Sequence, residues 1–251
     1  MLFTIRGEGF ITQFIRSIFR NTSFEDRPAA NQNELDRRQY DNLILAQEID
    51  RLKAENRELR RVATADPLTG LYNRRGGKAE LDRMLAPFKR HEHDHVSSAL
   101  PLTEVSVVII DVDDFKEVND VGGHATGDQV LVAIARHLQH EFRSDDIIIR
   151  WGGDEFMVYL IGATQETVLK RSQELVAALT IDPMLKLGNN PAQHVTCSIG
   201  IAHGKFRTER GAHSLIETLR SAADMAMYEA KRIEGCKSCI ATAPDNIDAA
   251  P

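Results

Sequence analysis

The sequence predicts an α/β fold, an α+β sandwich with a mixed sheet, entered through a long polar helix. Three observations carry this reading. Segments of helical and of strand period alternate from Arg74 onward. The run Val105-Ser-Val-Val-Ile-Ile-Asp111 is apolar almost to its end, the pattern of a strand covered on both faces. Two β-rich segments, ending at Arg150 and starting at Phe156, flank Gly152-Gly153 as the arms of a hairpin.

The N-terminal segment, 1–33, is expected to stand apart. Phe10, Ile11, Phe14, Ile15 and Ile18 share one helical face with Arg16 and Arg20 nearby, a pattern suited to a membrane surface or a partner. The polar stretch 21–33, which contains Pro28, reads as a linker. Over 34–65 the apolar positions Leu45, Ile49, Leu52 and Leu59 alternate spacings of four and three. Placing Ile49 and Asn56 at a, with the leucines at d, puts Glu48 and Glu55 at g and Lys53 and Arg60 at e. That set favours a parallel two-stranded coiled coil, hence a homodimer and a route for signal transmission.

At Ala65-Asp-Pro-Leu-Thr-Gly70 proline and glycine end the helix, and a globular domain is expected over 66–243. Within it the pattern gives helices over 74–89, 126–142, 165–180 and 214–232. Strands are expected over 105–111 and 194–202, with the hairpin between, and a short last strand over 238–241. A disordered tail is expected over 244–251.

Bulk composition narrows the function. With 251 residues and 42% hydrophobic content the chain can bury a sizeable core. A formal net charge of −6 argues against sequence-independent nucleic-acid binding, so a phosphate ligand would need metal ions. Three cysteines, Cys197, Cys236 and Cys239, form no framework and suit a reducing cytoplasm; the lone CxxC at 236–239 has no second pair to complete a zinc site. No apolar run is long enough to span a bilayer, and Arg6 and Glu8 break the start of the chain, unlike a secretory signal. The expected location is cytoplasmic, with a membrane-peripheral N-terminus as a further option. His91, His93 and His95 alternate with acids in a loop that reads as solvated.

The chemistry is expected where acids meet. The strand 105–111 delivers Asp111 to its exit. If strand and hairpin are neighbours, Asp111 approaches Asp154 and Glu155, and their oxygens make a magnesium site. Converging carboxylates raise one another's pKa unless a cation intervenes, and magnesium implies a phosphate substrate. Glycines 152 and 153 offer positive φ or close approach of a ligand to the backbone.

Together DPLTGLYNRR (66–75), DVDDFKEVNDVGGHATGD (111–128), RWGGDEF (150–156), CSIGIA (197–202) and ADMAMYEAK (223–231) resemble the GGDEF-domain diguanylate cyclase family. The resemblance implies a ferredoxin-like palm domain of the nucleotide cyclase and polymerase type. It implies condensation of two GTP into cyclic di-GMP and two pyrophosphates by a homodimer. Two Mg²⁺ ions, or Mn²⁺, would be held by Asp111, the Val112 carbonyl, Asp154 and Glu155, with Asp154 or Glu155 taking the proton. Phe115 and Lys116 would hold phosphates, and Lys231 the terminal phosphate. Asn119 and Asp128, with His124 nearby, would read guanine, whose N1–H and 2-amino donors and O6 acceptor match a carboxylate plus an amide.

Arg143-Ser-Asp-Asp146, separated by five residues from Gly152, matches the family's RxxD inhibitory site for the product. The sequence departs from the family after Lys231, where Cys236 stands in place of the usual arginine. A non-catalytic cyclic di-GMP receptor or scaffold using only the RxxD site is the alternative function.

Overall fold

The computed structural model describes residues 29–91, 103–186, 194–206, 209–233, 240–243 and 247–248. The chain divides into two compact units, 1–58 and 59–251. Among the described residues no helix is long and apolar enough to cross a membrane.

Helix α1 (Ala29–Thr64) is polar and is supported along its surface by ion pairs such as Glu34–Arg38 at 2.7 Å and Glu48–Arg51 at 2.9 Å. It begins inside the stretch expected to be a linker, because the residues after Pro28 include no helix breaker. Leu45, Ile49, Leu52 and Leu59 are 49–62% exposed in the single chain, as an unpartnered seam would be. Glu48, expected to reach across to a partner helix, is taken here by Arg51 of its own helix.

The end of α1 is tied to the domain by Asn73, whose Nδ2 donates to the carbonyls of Ala63 and Ala65 at 3.1 Å each. The same side chain accepts from the Gly76 amide as the N-cap of α2 (Arg74–Leu85). Strand β1 (Tyr72–Asn73), too short to announce itself by periodicity, precedes it. The predicted helix over 74–89 stops at Leu85 and tightens into a 3₁₀ turn (Ala86–His91), since Pro87 has no N–H with which to extend the α ladder.

Strand β2 (Thr103–Val112) lies at the centre of the sheet, antiparallel to β4 (Glu155–Ile161) on one side and to β5 (Cys197–Phe206) on the other. Strand β3 (Ile147–Arg150) pairs with β4 as the predicted hairpin, and β1 lies outside β3. On the far edge, β6 (Ile240–Thr242) and β7 (Ile247–Asp248) run parallel to β5. The tail expected to be disordered from 244 therefore contributes a strand pairing at 247–248.

Both faces of the sheet are covered, which is why β2 reads as continuously apolar. Val108 and Ile110 pack with Ile134, Leu138 and Leu175 beneath α3 (Phe115–Gly122), α4 (His124–Glu141) and α5 (Gln165–Ile181). Val105, Val107 and Ile109 pack with Leu81, Leu215 and Leu219 beneath α2 and α6 (Glu209–Lys231). The short helix α3 falls in a stretch for which the sequence pattern predicted no element. It starts at Asp114, whose left-handed backbone (φ 51°, ψ 32°) reverses the chain as it leaves β2.

Two local features place the future site. Gly200 in β5 lets α6 lie directly on the sheet: a Cβ there would stand 2.0 Å from the Ala223 carbonyl oxygen and 2.4 Å from the Met227 nitrogen. Arg150 links the hairpin to the turn after α1. Its guanidinium donates to both carboxylate oxygens of Asp66, at 3.1 and 3.2 Å, and to the Gly153 carbonyl at 2.7 Å. Burial alone would raise the Asp66 carboxyl, but hydrogen bonds from Thr69 and Arg150 outweigh it and hold the group below its ordinary value of 3.8.

Gly200→Val should destabilise the domain by about 1–3 kcal/mol through overpacking, read as a lower denaturant midpoint at unchanged slope. Asp66 titrates lower in the folded state than in the unfolded chain. Its stabilisation is therefore complete above the ordinary aspartate range and is lost as pH falls through the folded value. The stability difference between the wild type and Asp66→Asn should accordingly be largest near neutral pH and shrink as the pH falls below about 4.

Candidate active site

Register decides which acids meet. Asp111 is the direct cross-strand partner of Glu155, and both follow the strand positions whose side chains face α6. Asp111 is buried, and Lys231 at the end of α6 reaches it with Nζ 2.6 Å from Oδ1. Asp154 stands one residue earlier in the hairpin, and its carbonyl accepts from the Val112 amide at 3.2 Å. The expected convergence of Asp111, Val112, Asp154 and Glu155 is thus present in the backbone. Among the described residues no three His, Cys, Asp or Glu side chains are gathered at ligand geometry, and Asp111 is held by Lys231 instead.

The electrostatics follow from burial and crowding. Burial pushes the Asp111 carboxyl up, partly offset by Lys231 and reinforced by the charges of Asp154 and Asp113. Glu155 is raised by burial and then by Asp111, Asp154 and Asp224. For Lys231 burial acts downward, but the contact with Asp111 and the surrounding carboxylates carry the ammonium above its usual value. Two carboxylates with raised pKa values, Asp111 and Glu155, beside the Val112 main chain are oxygen donors of the kind a hard divalent cation takes.

The hairpin glycines act through space rather than through positive φ, which neither adopts. A Cβ on Gly152 would come 3.0 Å from Glu155 Oε2, so its absence lets that carboxylate sit under the loop. Around Gly153 nothing lies within 4 Å of such an atom, which leaves room for a ligand.

At the exit of β2 the chain is fixed by Asp113. Its carboxylate accepts from the hydroxyls of Thr196 and Ser198 at 2.7 Å each, and its amide donates to the Thr196 carbonyl at 2.9 Å. Asp113 is thereby taken up in orienting the turn that carries Val112 and the start of α3. Phe115 begins that helix, half-buried against the core, and Lys116 beside it is exposed. The first amides of α3 and Lys116 contribute positive potential at this end, set against the acids Asp113, Asp114 and Glu117.

Asn119 and Asp128 lie on α3 and α4, joined at Gly123. Gly127 makes their approach possible: a Cβ there would stand 2.2 Å from Asn119 Oδ1. Asn119 Nδ2 donates to the Phe115 carbonyl at 3.2 Å, while Asp128 and His124 are exposed at the same end. Asn119 therefore packs against the backbone of α4 at Gly127, one position before the exposed Asp128.

Arg143 and Asp146 occupy the turn between α4 and β3, beside a cavity of about 450 Å³ lined also by Ala65, Leu71, Tyr72 and Gln139. Arg143 is exposed, and its amide donates to Asp146 Oδ2 at 2.7 Å. Sequence reasoning gave no role to Asp113, Thr196, Ser198, Asp66 or Arg150. Their pairings join positions 83 to 85 residues apart, and no local spacing signals them. The histidines at 93 and 95 and both cysteines of the CxxC lie outside the described residues.

Residues 63–236 match the family described as diguanylate cyclase, GGDEF domain. Among curated proteins, the chain is 34% identical to the probable diguanylate cyclase DgcC of Escherichia coli, across 72% of this chain and 44% of that protein. It is also 34% identical to the diguanylate cyclase TpbB of Pseudomonas aeruginosa, across 88% of this chain and 48% of that protein. The chain thus spans under half the length of these curated relatives. Among solved structures, the coiled coil and GGDEF domain of DgcB from Caulobacter crescentus in complex with c-di-GMP aligns with a TM-score of 0.62 and 27% identity, over 83% of this chain and 99% of that one. The GGDEF domain of TpbB aligns with a TM-score of 0.55 and 32% identity, over 73% and 96%. With its ferredoxin-like mixed sheet, its Gly-Gly-Asp-Glu hairpin against Asp111 and a family match over most of its length, this chain belongs to the GGDEF-domain diguanylate cyclases.

Proposed function

We propose that the chain is a diguanylate cyclase that condenses two GTP into cyclic di-GMP and two pyrophosphates. The cross-strand pairing of Asp111 with Glu155, beside the open Gly153 loop, is the observation that carries this reading. A receptor or scaffold has no need of that acid array.

Asp111, the Val112 carbonyl, Asp154 and Glu155 would hold two Mg²⁺ or Mn²⁺ ions, which supply charge neutralisation on the triphosphate and acidify the attacking 3′-hydroxyl. The residues of the chain do the rest. Asn119 and Asp128, with His124 at the rim, hold the guanine edge, which sets the α-phosphate over the hairpin. The amides at Phe115 and the ammonium of Lys116 bind the phosphates. Lys231 exchanges its hold on Asp111 for the terminal phosphate when the nucleotide enters. The 3′-oxygen of one GTP forms a bond to the α-phosphorus of the other, and the bond to pyrophosphate breaks in line. The proton passes to Asp154 or Glu155.

Each domain supplies half of a symmetric product, so two must face each other. The seam of Leu45, Ile49, Leu52 and Asn56 on α1 supports a parallel homodimer, which raises the effective concentration of one loaded domain at the other. Residues 34–65 are thereby the dimerisation and signalling helix and 66–243 the catalytic domain. The segment ahead of α1 is where a sensory partner or a membrane surface would act. Arg143 and Asp146, beside their cavity, form the product-inhibition site.

Purified protein given GTP and Mg²⁺ should release cyclic di-GMP, and Glu155→Gln should lower the rate by about 100-fold or more while leaving the fold intact. Absence of product from dimeric wild-type protein that still binds cyclic di-GMP would overturn the enzyme reading in favour of a receptor. Arg143→Ala should relieve product inhibition without changing the initial rate; unaltered inhibition would remove the RxxD assignment.

A further inference from the structure

The Asp146 carboxylate is held from a second element. Arg171, on α5, donates from Nη1 to Asp146 Oδ2 at 2.7 Å, and the pair is nearly buried, with side chains 12% and 6% exposed. The same oxygen accepts from the Arg143 amide at 2.7 Å. Oδ2 is therefore occupied twice, and the two donors together set the plane of the carboxylate, with Oδ1 the oxygen engaged by neither of them. This arrangement differs from a surface ion pair, in which two long side chains wander and contribute little. Here a guanidinium of fixed shape, reaching across 25 positions of sequence, orients an acid in a low-dielectric setting. Burial pushes the Asp146 carboxyl up, and the backbone hydrogen bond at Arg143 and the charge of Arg171 act against that push. A carboxylate must be ionised to accept from the two donors of a guanine edge, and a protonated acid would turn a donor toward them.

We propose that Arg171 is a positioning residue of the product-inhibition site, acting through Asp146 by fixing Oδ2 so that Oδ1 receives the guanine N1–H or 2-amino group. This inference rests on the RxxD reading above and adds to it a residue outside that motif. It makes regulation depend on the seating of α5 against the turn between α4 and β3, although α5 carries no catalytic group. Arg171 lies in neither the acid cluster nor the guanine-reading pair, so substitution there should separate regulation from turnover.

The test compares the wild-type chain, Arg171→Met, Arg171→Lys, Asp146→Asn, Arg143→Ala and the double variant Asp146→Asn/Arg171→Met. For each, the initial rate with GTP and Mg²⁺ is measured first, then the concentration of added cyclic di-GMP that halves it. Binding of cyclic di-GMP without GTP is followed by calorimetry. Arg171→Met should raise the half-inhibitory concentration and the dissociation constant by roughly tenfold or more, with initial rates kept within about twofold. Arg171→Lys should recover part of the loss, because an ammonium keeps a charged donor beside Asp146 without the planar, pre-organised reach of the guanidinium. In the Asp146→Asn background the further change Arg171→Met should add little, since a residue that acts through Asp146 has nothing left to position. If Arg171→Met is inhibited like the wild type while Arg143→Ala is relieved, the positioning role is overturned and the RxxD site stands. If Arg143→Ala is also inhibited like the wild type, the RxxD reading itself falls. Should Arg171→Met fold poorly, the Arg171→Lys variant decides: unchanged inhibition and binding there, together with full additivity in an Asp146→Asn/Arg171→Lys pair, would overturn the proposal.

Discussion

The constraint on which this domain turns is an electrostatic conflict built into the centre of its sheet. Asp111 and Glu155 are direct cross-strand partners, and like charges in that relation repel. Burial makes the conflict worse by stripping water from Asp111, and Asp154 and Asp224 add further negative charge around Glu155. Lys231 supplies the compensating charge at 2.6 Å. That contact needs α6 close to the sheet, and Gly200 permits the approach. A small residue in one strand thus bears on the charge balance at the end of its neighbour.

Holding such a conflict in place takes rigid surroundings, and the two sides of the site are clamped separately. Asp113 ties the exit of β2 to β5 through Thr196 and Ser198, which orients the Val112 carbonyl and the start of α3. Arg150 ties the hairpin loop to the turn after α1 through Gly153 and Asp66. The second clamp also joins the hairpin to the neighbourhood of Asn73, which holds the last carbonyls of α1. A change in the seating of that helix end would be felt at the hairpin through packed, hydrogen-bonded groups rather than through loose chain.

The RxxD turn and the Gly-Gly hairpin loop lie at the two ends of one strand. Arg143 and Asp146 lie just before β3, and Gly152 and Gly153 follow one residue beyond it, so a strand of four residues, roughly 13 Å long, runs between the RxxD turn and the hairpin loop. Strand β3 is buried over Ile147–Ile149 and cannot shift alone. A buried strand between them gives the RxxD turn a short physical path to the hairpin loop, along which the proposed product inhibition would act.

Much of the fold was legible because each signal was local. The unbroken apolar run of β2, the hairpin around Gly152-Gly153 and the heptad spacing of α1 all follow from backbone period and side-chain size within about ten residues. The approach of Asp111 to the hairpin acids Asp154 and Glu155 was legible from the strand and hairpin pattern, because the apolar run places Asp111 at the end of β2 beside the hairpin. Elements of marginal length were not: β1 and β7 have two residues each and exist only because β3 and β5 offer edges to pair with. The sequence by itself determined the longer helices and strands and which residue types reach the end of β2. Only the tertiary structure decided that Asp111 faces Glu155 and Lys231, that Asp113 is taken by two hydroxyls, and that Arg171 holds Asp146. The physical reason is that register and side-chain pairing are set by contacts between segments far apart in the chain, where no periodicity records the distance.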